Sequence, residues 1–383
     1  MIQWREGRVV RELARWAGAV ELEVAVVGGP GHLSGALGEG GSCRALAYPA
    51  LVGEPRPDEL VLLNTTALEA GLGTGGYAFV VAVPHRPPVD PAPAAGHLVK
   101  ARYTPQQVSV RGADEQGSAH HDVLRDADDL LGMPVVVADL HSSLPAVVAG
   151  VRALRPAARV AYVMTDGGAL PAWFSRTVAG LRSAGWITTC VTVGQAFGGD
   201  LEAVGVHSGL LAARLVARAD VTVVAQGPGN LGTGTRWGFS GVSAGEALNA
   251  AAVLRGRPVA ALRVSQADPR ERHRGVSHHS LTALGRVALA PSDVVVPLLP
   301  GEFGDRVRAQ AAVLALPSGR HRLVETDVEG LRAALEASPV PLSTMGRGLD
   351  DDEPAFLAVA AAGRHAATLL GDDQGTVQNH GRS

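Results

Sequence analysis

The sequence predicts an α/β protein, with a doubly wound, mostly parallel, Rossmann-like sheet behind an N-terminal all-β domain built as a small barrel or sandwich. Three observations carry this. Continuous apolar runs at 135–138, 160–164, 187–193, 221–225, 259–264, 294–297 and 321–324 alternate with Ala-, Leu- and Arg-rich stretches of helical period, such as 171–184, 201–217 and 244–254. Strands that are apolar throughout and separated by helices belong to a parallel sheet covered on both faces. Ahead of them, up to about residue 110, the runs are short, alternating and punctuated by Gly and Pro, which is strand periodicity. Finally, 383 residues exceed what one core ordinarily organises. The expected division is a β domain at 1–112, the α/β domain at 113–370 and a disordered tail at 371–383.

The runs of the β domain lie at 8–13, 20–27, 44–52, 59–63, 78–83 and 98–103, with a stiff proline-rich loop at 84–96. A polar segment at 118–131 carries His120, His121, Asp122, Asp126, Asp128 and Asp129 and is expected to be helical. Near the end, Asp350, Asp351, Asp352 and Glu353 precede Pro354 and an Ala-rich stretch to residue 370. Acidic residues and proline suit a helix start, where the dipole favours negative charge and the missing amide is not needed.

Composition narrows the function. A net charge of -3 gives no polybasic field, so small-molecule partners are expected rather than nucleic acid or an anionic membrane. No apolar run spans a bilayer and the first residues lack a signal-peptide core, which makes the expected compartment cytoplasmic. Cys43 and Cys190 form no paired spacing, so any metal would be held by His, Asp or Glu. Lys100 is the only lysine, so neither a P-loop nucleotide site nor a pyridoxal phosphate site is expected. The oligomeric state is not encoded in any pattern of this kind.

In open parallel sheets ligands bind beyond the carboxyl ends of the strands, so the residues that follow each run are the candidates. The first run enters Asp139 and His141, the second Asp166 and Gly167, and the third Gly198, Gly199 and Asp200. The fourth enters Gly227, Gly229, Asn230 and Thr233. The fifth enters the segment 265–280, with Asp268, Arg272, His273, Arg274, His278 and His279, and Arg347 follows a short run at 341–343. Each polar loop alone reads as solvated surface, and their agreement on one sheet edge favours a ligand. His278 or His273 is the expected acid/base. Arg272, Arg274 and Arg347 with the amides of 227–234 would hold an anion. Asp139 and His141, two positions apart, would orient an imidazole or ligate a divalent metal with His273, His278, His279, Asp268 or Asp166. Ser243 sits in a Gly-x-Ser-x-Gly string but far beyond the fourth strand, so a helix start is favoured over a nucleophile.

Three strings are more specific. They are Leu63-Asn64-Thr65-Thr66 with Gly71-Leu72-Gly73-Thr74-Gly75-Gly76, then Ala196-Phe197-Gly198-Gly199-Asp200-Leu201-Glu202-Ala203-Val204, and Arg274-Gly275-Val276-Ser277-His278-His279-Ser280-Leu281-Thr282-Ala283-Leu284-Gly285. Together they resemble a bacterial family catalogued as domain of unknown function 3866, over nearly the whole chain from Trp4 to His365. The resemblance implies relatives and no established activity, substrate or catalytic residue. The residues themselves favour an enzyme, a hydrolase or group transferase, acting on a small anionic or phosphorylated substrate at the carboxyl edge of the sheet. The alternative is a non-catalytic small-molecule-binding or regulatory protein that uses the same crevice. A third is an assembly protein whose β domain binds a partner.

Overall fold

The computed structural model describes residues 2–29, 37, 38, 40–72, 75–90, 96–315 and 320–371; most of the expected tail thus lies outside the described residues. The N-terminal strands are β1 (Trp4–Trp16), β2 (Ala19–Gly28), β3 (Ser42–Ala47), β4 (Leu60–Asn64) and β5 (Ala78–Ala82). They close a barrel in the order β1-β2-β3-β5-β4, with β3 and β5 parallel and β1 and β4 antiparallel. Short helices α1 (Pro49–Val52) and α2 (Thr66–Glu69) flank β4. This is the OB-type version of the expected small barrel. Alternating side chains, including Val9, Val20, Leu22, Val24, Ala45, Val61, Leu63 and Val80, fill its interior, as the period of two requires.

One face of the barrel carries Trp16, Ala19, Leu46, Tyr48, Tyr77 and Phe79, and Trp173 and Phe174 of the α/β domain cover it. Trp173 lies 6.1 Å from Tyr48, and Phe174 lies 6.3 Å from Phe79, between ring centroids. The Trp16 indole donates to the Trp173 carbonyl at 2.6 Å. Arg176 lies over the Trp16 ring at 4.4 Å and pairs with Glu21. In the β1–β2 turn Gly18 has φ of 79°, and a Cβ there would fall 2.2 Å from the Trp173 ring. Only glycine fits both constraints.

A hairpin of β6 (Leu98–Lys100) and β7 (Val108–Val110) joins the domains. Its Lys100, 2% exposed, donates to the carbonyls of Gly194, Ala196 and Ala203 at 2.8 to 3.0 Å. The only lysine therefore staples the hairpin to the edge of the large sheet. After it, the segment expected to be helical at 118–131 makes a single turn, α3 (His121–Leu124), in which Leu124 alone is buried. A polar run without an apolar stripe has nothing to hold a longer helix against the core.

The large sheet has eight strands where seven were expected. They are β8 (Pro134–Val137), β9 (Val160–Thr165), β10 (Thr189–Thr192), β11 (Leu201–Glu202), β12 (Val221–Gln226), β13 (Arg257–Ala261), β16 (Asp293–Pro297) and β17 (Arg322–Thr326), with a separate two-stranded hairpin of β14 (Val264–Ser265) and β15 (Gly275–Val276). The additional strand is β11, two residues long, which the sequence reading placed in the helix at 201–217. The order is β11-β10-β9-β12-β8-β13-β16-β17, and all neighbours pair in parallel.

Right-handed crossovers then place the helices on both faces. On one lie α4 (Leu144–Leu154), α5 (Arg176–Ser183), α10 (Leu331–Glu336) and α11 (Glu353–Thr368); on the other lie α6 (Val206–Leu211), α7 (Ala244–Val253), α8 (His278–Thr282) and α9 (Gly301–Ala311). Helices α4 and α11 meet backbone to backbone: a Cβ on Gly150 would lie 1.9 Å from the Ala360 carbonyl, and one on Gly363 would lie 2.0 Å from that of Val147. No helix among the described residues is long and apolar enough to cross a membrane.

Candidate functional site

Strands β8 and β13 are neighbours, yet the chain leaves β8 for the face of α4 and leaves β13 for the opposite face. Such a reversal is where open parallel sheets ordinarily place a ligand crevice, at the carboxyl ends of the two strands. Asp139 follows β8, and Arg263 follows β13. The hairpin β14–β15 then carries the loop 266–274 back and returns His273, and Ser277 caps α8, its hydroxyl accepting from the His279 amide at 3.2 Å. The outcome is a cluster in which one ring nitrogen from each of His273, His278 and His279 lies within 4.8 Å of the others. Phe239, folded over from the loop after β12, stacks on His279 at 3.8 Å and 3°.

Electrostatics keep these imidazoles neutral. Burial, assisted by the charges of Arg263 and Arg270, pulls His273 down to about 3. Burial and Arg263 pull His279 down to about 3, and burial and Arg272 lower His278 as well. Arg263 donates to Nδ1 of His279 at 3.1 Å and lies 3.7 Å from Asp139 Oδ2. Burial pushes the Asp139 carboxyl up, against the pull of Arg263. Four buried polar atoms at this edge have no hydrogen-bond partner: Asp139 Oδ2, Thr165 Oγ1, Gln226 Oε1 and His278 Nε2. Each such atom costs roughly 1–3 kcal/mol when left unpaired, and three of the four follow or end neighbouring strands β8, β9 and β12.

The other expected residues divide. His141 does not join Asp139: its Nδ1 meets the Tyr162 hydroxyl at 3.0 Å and its Nε2 the Ser175 hydroxyl at 2.7 Å, so both nitrogens are engaged in packing α5 onto the sheet. Burial holds it down to about 4. Asp166 accepts from the Gln195 amide at 2.8 Å, beside Gly194. Gly167 packs against Gln226, where a Cβ would lie 2.5 Å from Oε1. Gly198 lies under Trp173 and Gly199 against the Cys190 carbonyl, while Asp200 accepts from the Cys190 amide at 2.7 Å and pairs with Arg182 at 2.8 Å. These three hold the β10–β11 edge and the barrel contact, away from the histidines.

In the Gly227 loop, the amides of Gly227, Leu231 and Thr233 bond to Thr165 O, Ser240 Oγ and Gly238 O, so they do not form an open anion nest. Gly229 supplies a φ of 96°, and Asn230 accepts from Gln226 and Ser240. Asp268 is fully buried and receives Arg270 and Arg347 at 2.8 and 3.3 Å. Arg347 also reaches Asp352 at 3.1 Å. This network clamps the histidine loop to the start of α11. Arg274 is exposed and lies 3.9 Å from Glu271. Arg272 is exposed beside Gly234, has no ion pair among the described residues, and is close enough to lower His278. Ser243 donates to the Ser240 carbonyl at 3.1 Å, with no imidazole against it, and α7 starts at Ala244.

Sequence reasoning missed Arg263 and Phe239; it reads 277–280 and 350–353 as helix starts, as they are, without placing the Ser277 and Asp352 side chains here. Arg263 was inside a run read as an apolar strand, where an arginine was itself the signal. Ser277 before two histidines was a readable cap. Phe239 and Asp352 come from segments remote in sequence, and only the fold brings them here.

No curated protein matches the chain, and no solved structure does. A family model described as "Protein of unknown function (DUF3866)" matches residues 44–363, most of the chain, from the third barrel strand into α11. The span takes in the histidine cluster, Arg263 and Asp139 together, and the chain belongs to this family.

Proposed function

We propose that the chain is an enzyme that binds a small anionic, phosphorylated metabolite at the carboxyl ends of β8 and β13 and performs hydrolysis or group transfer on it. The observation that carries this reading is the cluster of three neutral imidazoles with an unpartnered Nε2 on His278 and the unpaired Arg272 beside it. Arg272 supplies the charge that an anion needs, and a guanidinium binds phosphate or carboxylate through two parallel donors. A neutral imidazole accepts a proton. His278 takes it from the attacking water or hydroxyl as the new bond forms, and returns it to the leaving group as the old bond breaks. Arg263 and Asp139 fix the floor of the crevice, and the Asp268–Arg347–Asp352 network fixes its wall.

The test is thermal unfolding against a panel of sugar phosphates, nucleotides and short carboxylates, with turnover assayed for each ligand that stabilises. A ligand at about one hundred times its Kd adds roughly 2.7 kcal/mol of stability. The expected result is stabilisation by an anionic member, abolished in Arg272→Ala, whose side chain is exposed and whose removal leaves the core intact. Saturable binding without turnover of any member supports the non-catalytic reading. A shift equally large in Arg272→Ala and His278→Ala removes this crevice from consideration.

A further inference from the structure

We propose that His273, His278 and His279 are the ligands of one divalent transition-metal ion of the zinc type, with Asp139 as a positioning residue behind His279. The proposal rests on the reading above and revises it at one atom: with Nε2 of His278 bound to the ion, a water on the ion would take over the proton-transfer role given to that nitrogen, and the test uses the metal alone.

The hydrogen bonds sort the ring nitrogens. Nδ1 of His273 meets the Ser277 hydroxyl at 2.8 Å. Nδ1 of His279 faces Arg263 at 3.1 Å and Asp139 Oδ2 at 3.9 Å. Nε2 of His278 is buried without a partner. That leaves Nε2 as the free nitrogen of His273 and His279, with no hydrogen bond to any described residue. Imidazole binds zinc at about 2.0–2.1 Å in tetrahedral geometry, and one ring nitrogen from each of the three histidines already lies within 4.8 Å of the others, so rotation of the rings brings a nitrogen of each onto one ion. Three imidazoles leave the fourth position for water or a substrate oxygen, the arrangement of catalytic rather than structural zinc. The Ser277 cap and the face-on contact with Phe239 hold the rings in place.

Asp139 follows from proton inventory. When Nε2 of His279 binds a metal, the proton sits on Nδ1 and needs an acceptor; Arg263 is donor-only and cannot serve. Asp139 Oδ2 is buried, unpartnered and 3.9 Å from that nitrogen. In the metal-loaded protein it accepts from Nδ1, forming a carboxylate–imidazole–metal relay, and Arg263, 3.7 Å from the same oxygen, balances its charge.

Tag-free protein, stripped with a chelator and dialysed, is titrated with zinc by calorimetry and with cobalt by visible spectroscopy. The expected result is one equivalent of zinc and the visible bands of four-coordinate cobalt. His278→Ala and His273→Asn, each confirmed as folded by circular dichroism, lose at least one hundredfold in affinity. Asp139→Asn retains the stoichiometry, weakens binding by about 10–100-fold and shifts the cobalt bands. The proposal is overturned if wild-type protein takes up no stoichiometric zinc, or if both histidine variants bind zinc as wild type does. Stabilisation of the stripped protein by an anion, with no zinc uptake, removes the metal and leaves the proposed function standing. Zinc uptake with no anionic ligand in the panel does the reverse.

Discussion

Replacing His141 by Gln should change how stability responds to pH more than it changes stability at pH 7. The ring lies between the Tyr162 and Ser175 hydroxyls, and a Gln amide can meet both. Burial lowers the native pKa from 6.5 to about 4. As pH falls below 7 the unfolded chain takes the proton first, so this group's contribution is complete above about 6.5, declines through the window from 6.5 to 4, and is flat below it. One proton over about 2.5 pH units corresponds to roughly 3 kcal/mol. Urea unfolding followed by tryptophan fluorescence at pH 7, 6, 5 and 4.5 reads the effect as a difference between wild type and variant, which cancels the titration of the other histidines. The wild type should lose up to about 3 kcal/mol more than His141→Gln across the window. Parallel pH profiles for the two proteins would refute the assignment of His141 as a half-buried, neutral packing residue.

Three further substitutions test the frame that positions the site. Trp173→Ala removes the side chain that covers the barrel face, should cost about 3 kcal/mol, and should split denaturant unfolding into separate barrel and sheet transitions. Gly150→Ala sets a methyl against the Ala360 carbonyl and forces α4 from α11, for about 2–3 kcal/mol of destabilisation, read in the urea midpoint. Lys100→Met strips three carbonyls of their donor and leaves Glu202, 3.6 Å away, without its cation, at about 3–5 kcal/mol. Adding Glu202→Gln should recover part of that loss in a double-mutant cycle.

The sheet was legible because parallel strands buried on both faces are written as near-continuous apolar runs, as at 160–164 and 221–225. The two-residue β11 left no period to detect, and the polar run around His121 imitated a helix without a face to bury. The histidine segment was legible as a candidate site because its charges follow a strand end. Which side chains converge there was not. Asp139 and His141 are equally placed in sequence, but the crossover to α4 turns one toward β13 and gives the other to Tyr162. Asp268 and Arg347 looked ligand-facing, and only their 3.3 Å contact shows them clamping one loop to another. Phe239 reaches His279 across thirty-nine intervening positions of chain, a contact that no local pattern encodes.

The most direct test of the central claim is turnover of an unfractionated pool of anionic metabolites, followed by mass spectrometry, by wild-type protein and by His278→Ala with matched thermal stability. The cluster as functional centre predicts at least one phosphorylated or carboxylated species consumed by the wild type, its product appearing in step, and both changes lost in the variant. Consumption that continues unchanged in His278→Ala would contradict the account.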